Sequence, residues 1–154
     1  MPTEFNSDTF ASQSAAVTNA AQMIDTSELV SGKVSFLQCK LTIPSGTGAA
    51  DTFNLGYIPS GMTLIPGIAS VTTISAAGAS TINLGTKNAD GTGLSSDNIC
   101  ENQSVNTAGA SLLTTATGGF ISASSNRLIV VATISGALTA GRVIYFNFPL
   151  VNSN

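Results

Sequence analysis

The chain contains no histidine and no tryptophan. The first absence removes the commonest general base, the Ser-His-Asp and Cys-His nucleophile systems, and the commonest zinc ligand. The second removes the aromatic platform on which sugar sites most often stack a ring. Charge is scarce as well. Charged residues are 8% of the sequence, against about 25% in an average soluble domain. The five basic residues, Lys33, Lys40, Lys87, Arg127 and Arg142, are scattered and form no run. Nucleic-acid binding needs a positive footprint to neutralise phosphates, so no nucleic-acid partner is expected. No apolar run approaches the roughly 20 residues of a spanning helix, and no membrane partner is expected.

Cysteine is limited to Cys39 and Cys100. Two cysteines far apart in sequence make neither a disulfide framework nor a metal site. In "SFLQCKLTI", Leu37, Cys39, Leu41 and Ile43 share one side of an extended chain. Cys39 therefore reads as a small buried hydrophobe. A Cys39–Cys100 bridge is the alternative, disfavoured in a reducing cytoplasm. The opening run "MPTEFNSDTF" carries two acids and no apolar centre. This is not the pattern of a secretory leader, and synthesis and use without export are expected.

What is present is a core and a neutral polar coat. The 154 residues suit one domain, and hydrophobic residues make up 43% of them. A domain of this length buries roughly 70% of the surface its unfolded chain exposes. With net charge −3 and so few ions, the surface is built of Ser, Thr, Asn and Gly. Such a surface repels other proteins weakly. It suits a protein packed against others, or an extracellular or virion protein.

From Gly32 the grammar is β. Segments "KVSFLQCKLTIP", "DTFNLGYIP", "MTLIPGIASVTTIS", "TINLGTK", "SLLTT", "GGFISAS", "NRLIVVATISGAL" and "GRVIYFNFPLVN" read as strands. Pro66 cannot donate to a ladder, so its strand is an edge or bulges there. "LIVVATI" is continuously apolar and β-branched, as expected of a central strand covered on both faces. Phe53 and Leu55, and Phe146 and Phe148, alternate with other residues and are expected in the core. "IPSGM" and "SGALTAG" read as hairpin turns, and "NADGTGLSSDNICENQSVNTAGAS" as a long loop with room for a short helix or turn inside it. About seven or eight strands at roughly ten-residue spacing argue an all-β antiparallel jelly roll or β-sandwich. That domain is expected over 29–154, after an N-terminal arm over 1–28. The arm is Ala-rich and its composition allows a helix from about Asp8 to Met23 capped by Ser7 or Asp8; it has two readings, a partly disordered arm or an arm that orders on a neighbouring subunit or partner. Phe5, Phe10, Met23 and Ile24 are its apolar candidates for partner contact. Simple docking on their own domain is the alternative.

Sites of chemistry are thin. Asn88, Asp90 and Asp97 among glycines suggest a Ca²⁺ loop, but the EF-hand ligand order and closing Glu are missing, and a turn is expected. Asp97 and Glu101 have no aromatic neighbour to make a glycosidase pair. "NQS" at Asn102 matches a glycosylation sequon, accidental without export. No GxSxG elbow, P-loop or dinucleotide motif occurs. No catalytic residue, metal or cofactor is expected, and the chain is not read as an enzyme.

The run "DTFNLGYIPSGMTLIPGIASVTTISAAGASTINLGTKNADG" resembles the pattern of head decoration (cement) proteins of tailed bacteriophages. Asp51-Thr52 opens a strand ending at Ile58–Gly61, Pro66-Gly67 marks the next turn, and Ala77–Thr86 leads into Asp90-Gly91. "LIVVATISGALTAGRVIYFNF" resembles the closing hairpin of that family, in which a turn, here Gly136–Gly141, joins two apolar strands. The resemblance spans about Gly32 to Asn147. It implies a jelly-roll domain that binds the outer surface of an assembled capsid, bridges major capsid protein subunits, and forms a homotrimer. It also implies a protein made in the host cytoplasm and found in the virion. Another virion part (a tail- or fibre-associated sandwich, or a small coat subunit) is the alternative, followed by a carbohydrate-binding adhesin module.

Overall fold

The computed structural model describes residues 3–7, 34–113, 116 and 119–152. The helix expected over Asp8–Met23 lies outside them. The described residues form eleven strands: β1 (Glu4–Asn6), β2 (Ser35–Thr42), β3 (Thr52–Ile58), β4 (Met62–Leu64), β5 (Ser70–Thr73), β6 (Thr81–Asn88), β7 (Ser95–Ser104), β8 (Gly109–Leu112), β9 (Ile121–Ala123), β10 (Leu128–Ile134) and β11 (Val143–Asn152). They make two sheets that pack as a sandwich, the class the alternation predicts. The first sheet has the order β1-β3-β10-β6-β7. The second is built around β11, with β2 on one flank and β4 and β5 in succession on the other. β9 and β8 extend it beyond β4 and β5.

Alternation explains which side of each strand is dry. In β2, Leu37, Cys39 and Leu41 are buried and their neighbours are exposed. Their register partners on β11 are Phe148, Phe146 and Ile144. The facing layer comes from Phe53, Leu55, Ile82, Leu84, Val130, Ala132 and Ile134. β10 lies between β3 and β6, as its continuous apolar run demands. Its inward residues join the main core, while Ile129 and Val131 make a second small cluster with Tyr57 on the outer face. Both cysteines are buried free thiols, so the bridge is not formed. Burial pushes the Cys39 thiol pKa up, because a thiolate has no solvation there.

Pro66 behaves as its missing N–H requires. The chain leaves the ladder between β4 and β5 in a 3-10 turn, Pro66–Ile68, and returns at Ser70. The two short strands lie on the same flank of β11, so the segment is one strand interrupted by a wide excursion.

Two expectations are corrected. β3 and β4 belong to different sheets, and so do β10 and β11. "IPSGM" and "SGALTAG" are therefore corners between sheets, not hairpin turns. Turn chemistry dictates that the chain reverses; it does not dictate which sheet the next strand joins. The long loop is also wrong in its second half. Ser95–Ser104 is a ten-residue strand paired antiparallel with β6 at the edge of the first sheet. Its polar sequence and two register shifts break the alternation by which a strand is recognised. The β6–β7 connection is the true hairpin, and Asp90 shapes it by accepting from the Thr92 N–H and hydroxyl at 2.9 and 2.7 Å. This is the Asx turn that the sequence favoured over a cation loop.

At the start of the chain, Glu4–Asn6 pairs in parallel with Thr52–Asn54 and forms one edge of the first sheet; residues 8–28 of the expected arm lie outside the described residues.

Candidate interaction surface

Phe5, one of the four residues proposed for partner contact, is seated on its own domain. Its ring stacks on Phe53, with centroids 5.2 Å apart. Phe10, Met23 and Ile24 lie outside the described residues. β1 is fastened at several points. Asp51 accepts from the N–H of Thr3 at 2.7 Å and of Gly48 at 2.8 Å. Asn54 donates to Glu4 Oε1 at 2.7 Å and to Asn6 Oδ1 at 2.9 Å. The buried Lys87 ammonium reaches Glu4 Oε2 at 2.6 Å. β3 and β10 lie between β1 and β6 in the sheet, so this ion pair crosses over both. The Ser7 hydroxyl closes the set by donating to the Leu55 carbonyl.

Both carboxylates titrate low. The hydrogen bond from Lys87 holds Glu4 below its ordinary value, against the opposing effect of partial burial. The Thr3 and Gly48 N–H groups do the same for Asp51. A carboxyl depressed in the folded state stabilises it above the unfolded pKa and loses that contribution as pH falls through the folded pKa. The β1 fastening thus contributes fully above the ordinary carboxylate range and is released only as pH falls through the lower midpoints of the folded state. Carboxyl ¹³C titration is expected to give midpoints below ordinary values for both groups. Lys87→Met is expected to move the Glu4 midpoint upward and leave Asp51 in place. Ordinary midpoints in the unaltered chain contradict the fastening.

The outer face of the second sheet is of another kind. In β2 the outward phase is Phe36, Gln38, Lys40 and Thr42, and Phe36 is 55% exposed. In β11 it includes Tyr145, 41% exposed, and Asn147. Register aligns Gln38, Asn147, Ser70 and Leu112 in one row across four strands, and Lys40, Tyr145, Thr72 and Ala110 in the next. Leu112 is 60% exposed. Gln38, Asn147, Ser70, Thr72 and Tyr145 line an open groove of about 330 Å³. Within it, Asn147 Oδ1 is buried with no hydrogen-bond partner. A carbonyl withdrawn from water and left unpaired carries a free-energy cost of about 1–3 kcal/mol.

Charge divides the two sheets. The acids among the described residues are Glu4, Asp51, Asp90, Asp97 and Glu101, and all lie on strands of the first sheet or on loops beside them. The strands of the second sheet carry no acid and one base, Lys40. Among the described residues no cluster of three or more His, Cys, Asp or Glu is placed to hold a metal. Of the two tyrosines, Tyr57 has the Arg127 guanidinium 4.5 Å above its ring, so one face of that ring is taken.

This surface was missed in the sequence, although one signal was available. Phe36 falls on the polar phase of "SFLQCKLT", where alternation leaves no room for it in the core. Leu112 and Asn147 carried no such mark, because their setting depends on strands brought together from distant segments.

No family model matches the chain, and no curated protein matches it significantly. Its fold, however, recurs in solved structures. One is a chain from the capsid of Ralstonia phage GP4, with 19% identity and a TM-score of 0.56, over 98% of this chain and 99% of that one. Another is from the capsid asymmetric unit of cyanophage Pam1, at 15% identity and a TM-score of 0.54, over 87% and 96%. A third is from the acid-stable capsid of Helicobacter pylori bacteriophage KHP30, at 13% identity and a TM-score of 0.50, over 80% and 92%.

Proposed function

We propose that this chain is a structural protein of a phage virion, and within the virion a decoration or cement protein. It binds the outer surface of the assembled head and bridges major capsid protein subunits, acting as a homotrimer. The observation that carries the reading is the two-way, nearly end-to-end overlap with a chain of the Ralstonia phage GP4 capsid. The two chains align over nearly their whole lengths, as expected of proteins of the same kind. The composition supports it. A β-sandwich with few charges and a weakly repelling Ser/Thr/Asn surface is suited to permanent packing. Contacts repeated over a lattice turn modest single affinities into strong retention, and a cyclic trimer satisfies closed symmetry. The reading assigns the chain no catalysis and no cofactor.

The test is the copy number of the chain in purified particles, relative to the major coat protein, by quantitative mass spectrometry. About one chain per coat subunit, or one trimer per lattice threefold, is the expected result. A handful of copies per particle moves the chain to the tail or a vertex, and absence from particles overturns the reading.

A further inference from the structure

We propose that the outer face of the second sheet, centred on Phe36, Tyr145, Asn147 and Leu112, is the face that seats on the coat-protein surface. The acidic first sheet is then turned to solvent. The inference rests on the capsid-binding reading and adds to it the surface and its chemistry.

Three independent observations converge on this face. The first is hydrophobic. Phe36, Tyr145 and Leu112 are each at least 41% exposed, and they stand on β2, β11 and β8 of one sheet, with β5 between β11 and β8. Protein-binding surfaces are marked by aromatic side chains and by few charges at their centre. The second is the Asn147 Oδ1 carbonyl, buried and unpaired on a side chain that lines the groove. A partner N–H or O–H that enters the groove restores the missing hydrogen bond, so binding recovers a cost the free chain carries. The third is electrostatic. The strands of the second sheet hold no carboxylate, whereas the described acids sit on the first sheet and its loops. The second sheet therefore meets a carboxylate-bearing partner without like-charge repulsion, and the first does not.

The partner's chemistry follows: a protein surface with apolar side chains to cover Phe36 and Leu112, and a projecting donor for Asn147. The opposite face suits such a partner poorly. There the apolar residues Ile129 and Val131 are already buried, and the Glu4–Lys87 pair crosses above the strands.

The experiment uses the full chain and capsids that lack it, with binding measured by co-sedimentation. Phe36→Glu and Leu112→Glu are each expected to weaken binding at least tenfold. Leu94→Glu, at a half-exposed position in the β6–β7 hairpin loop, is expected to bind as the unaltered chain does. Hydroxyl-radical footprinting of the unaltered chain on capsids serves where a variant fails to fold. Protection of Phe36 and Tyr145, with Tyr57 unprotected, is the expected pattern. Full binding by Phe36→Glu and Leu112→Glu, or protection confined to Tyr57, overturns the face while leaving the capsid reading intact. A fall in oligomer mass in Phe36→Glu, measured by light scattering, assigns the face to contacts between copies and also overturns it. Failure of the unaltered chain to bind capsids defeats the underlying reading itself.

Discussion

Phe146→Ala is expected to lower the free energy of unfolding by about 3–5 kcal/mol. Phe146 stands near the middle of β11, 1% exposed, with Cys39 beside it on β2 and Val71 beside it on β5. Its ring stacks on Phe148, with centroids 6.0 Å apart and planes 6° from parallel. Truncation removes the transfer free energy of the ring and leaves a cavity between two sheets. The ladders on both flanks hold β11 in place and prevent the walls from closing. The measurement is urea unfolding with the slope left free. At about 2–4 °C per kcal/mol for a chain of this size, the melting temperature should fall by roughly 10 °C. A loss below about 1 kcal/mol would mean that the inner layer collapses around the missing ring. The same variant should leave the outer face of the second sheet in place, so at a temperature where it is folded it should bind its partner normally.

Gly85→Ala is the second large effect, and it arises from backbone contact. A Cβ at Gly85 would lie 1.8 Å from the Ser95 carbonyl oxygen, 2.6 Å from the Ser96 carbonyl carbon and 2.8 Å from the Asp97 nitrogen. All three atoms are main chain, so no side chain can swing aside. β7 must move off β6 at a place where the register already shifts, between Leu84 and Thr86. Overpacking of this kind costs about 3 kcal/mol, at the upper end of the usual range. Gly67→Ala is the control, since a Cβ there meets nothing within 4 Å, and its effect should stay within about 0.5 kcal/mol. Equal stability of the two variants would show that β7 is free to slide over β6. Hydrogen exchange separates the mechanisms further: Gly85→Ala should deprotect the β6–β7 ladder first, whereas Phe146→Ala should lower protection throughout.

The Gly85 contact also shows where sequence reading runs out. "SSDNICENQS" has none of the marks of a strand, yet it holds ten residues against β6. Its ladder is provided by β6, and the room for its backbone by Gly85. No local property of those ten residues contains either.

The core, in contrast, was legible. Leu37, Cys39, Leu41 and Ile43 are buried as their spacing requires, and so are Phe53, Leu55, Ile82 and Leu84. A side chain's face in a strand is set by the two-residue period of the backbone, and that period does not depend on which sheet the strand joins. The same holds for the break at Pro66, which follows from the proline's own lack of a donor. The absence of histidine likewise removed whole classes of chemistry before any fold was known.

Tertiary structure alone decided the rest. It turned the two apparent hairpins into corners between sheets, because a turn sequence encodes reversal of the chain but not the identity of the next neighbour. It drew Thr3–Asn6 onto the first sheet through Asp51, Thr52–Asn54 and Lys87, partners 48 or more residues away in sequence. It also brought Phe36, Leu112, Tyr145 and Asn147 onto one face from three separate segments, and sorted acidic from neutral surface by sheet. Periodicity along the chain determines which side of a strand is wet; only the pairing of distant strands determines which wet sides adjoin.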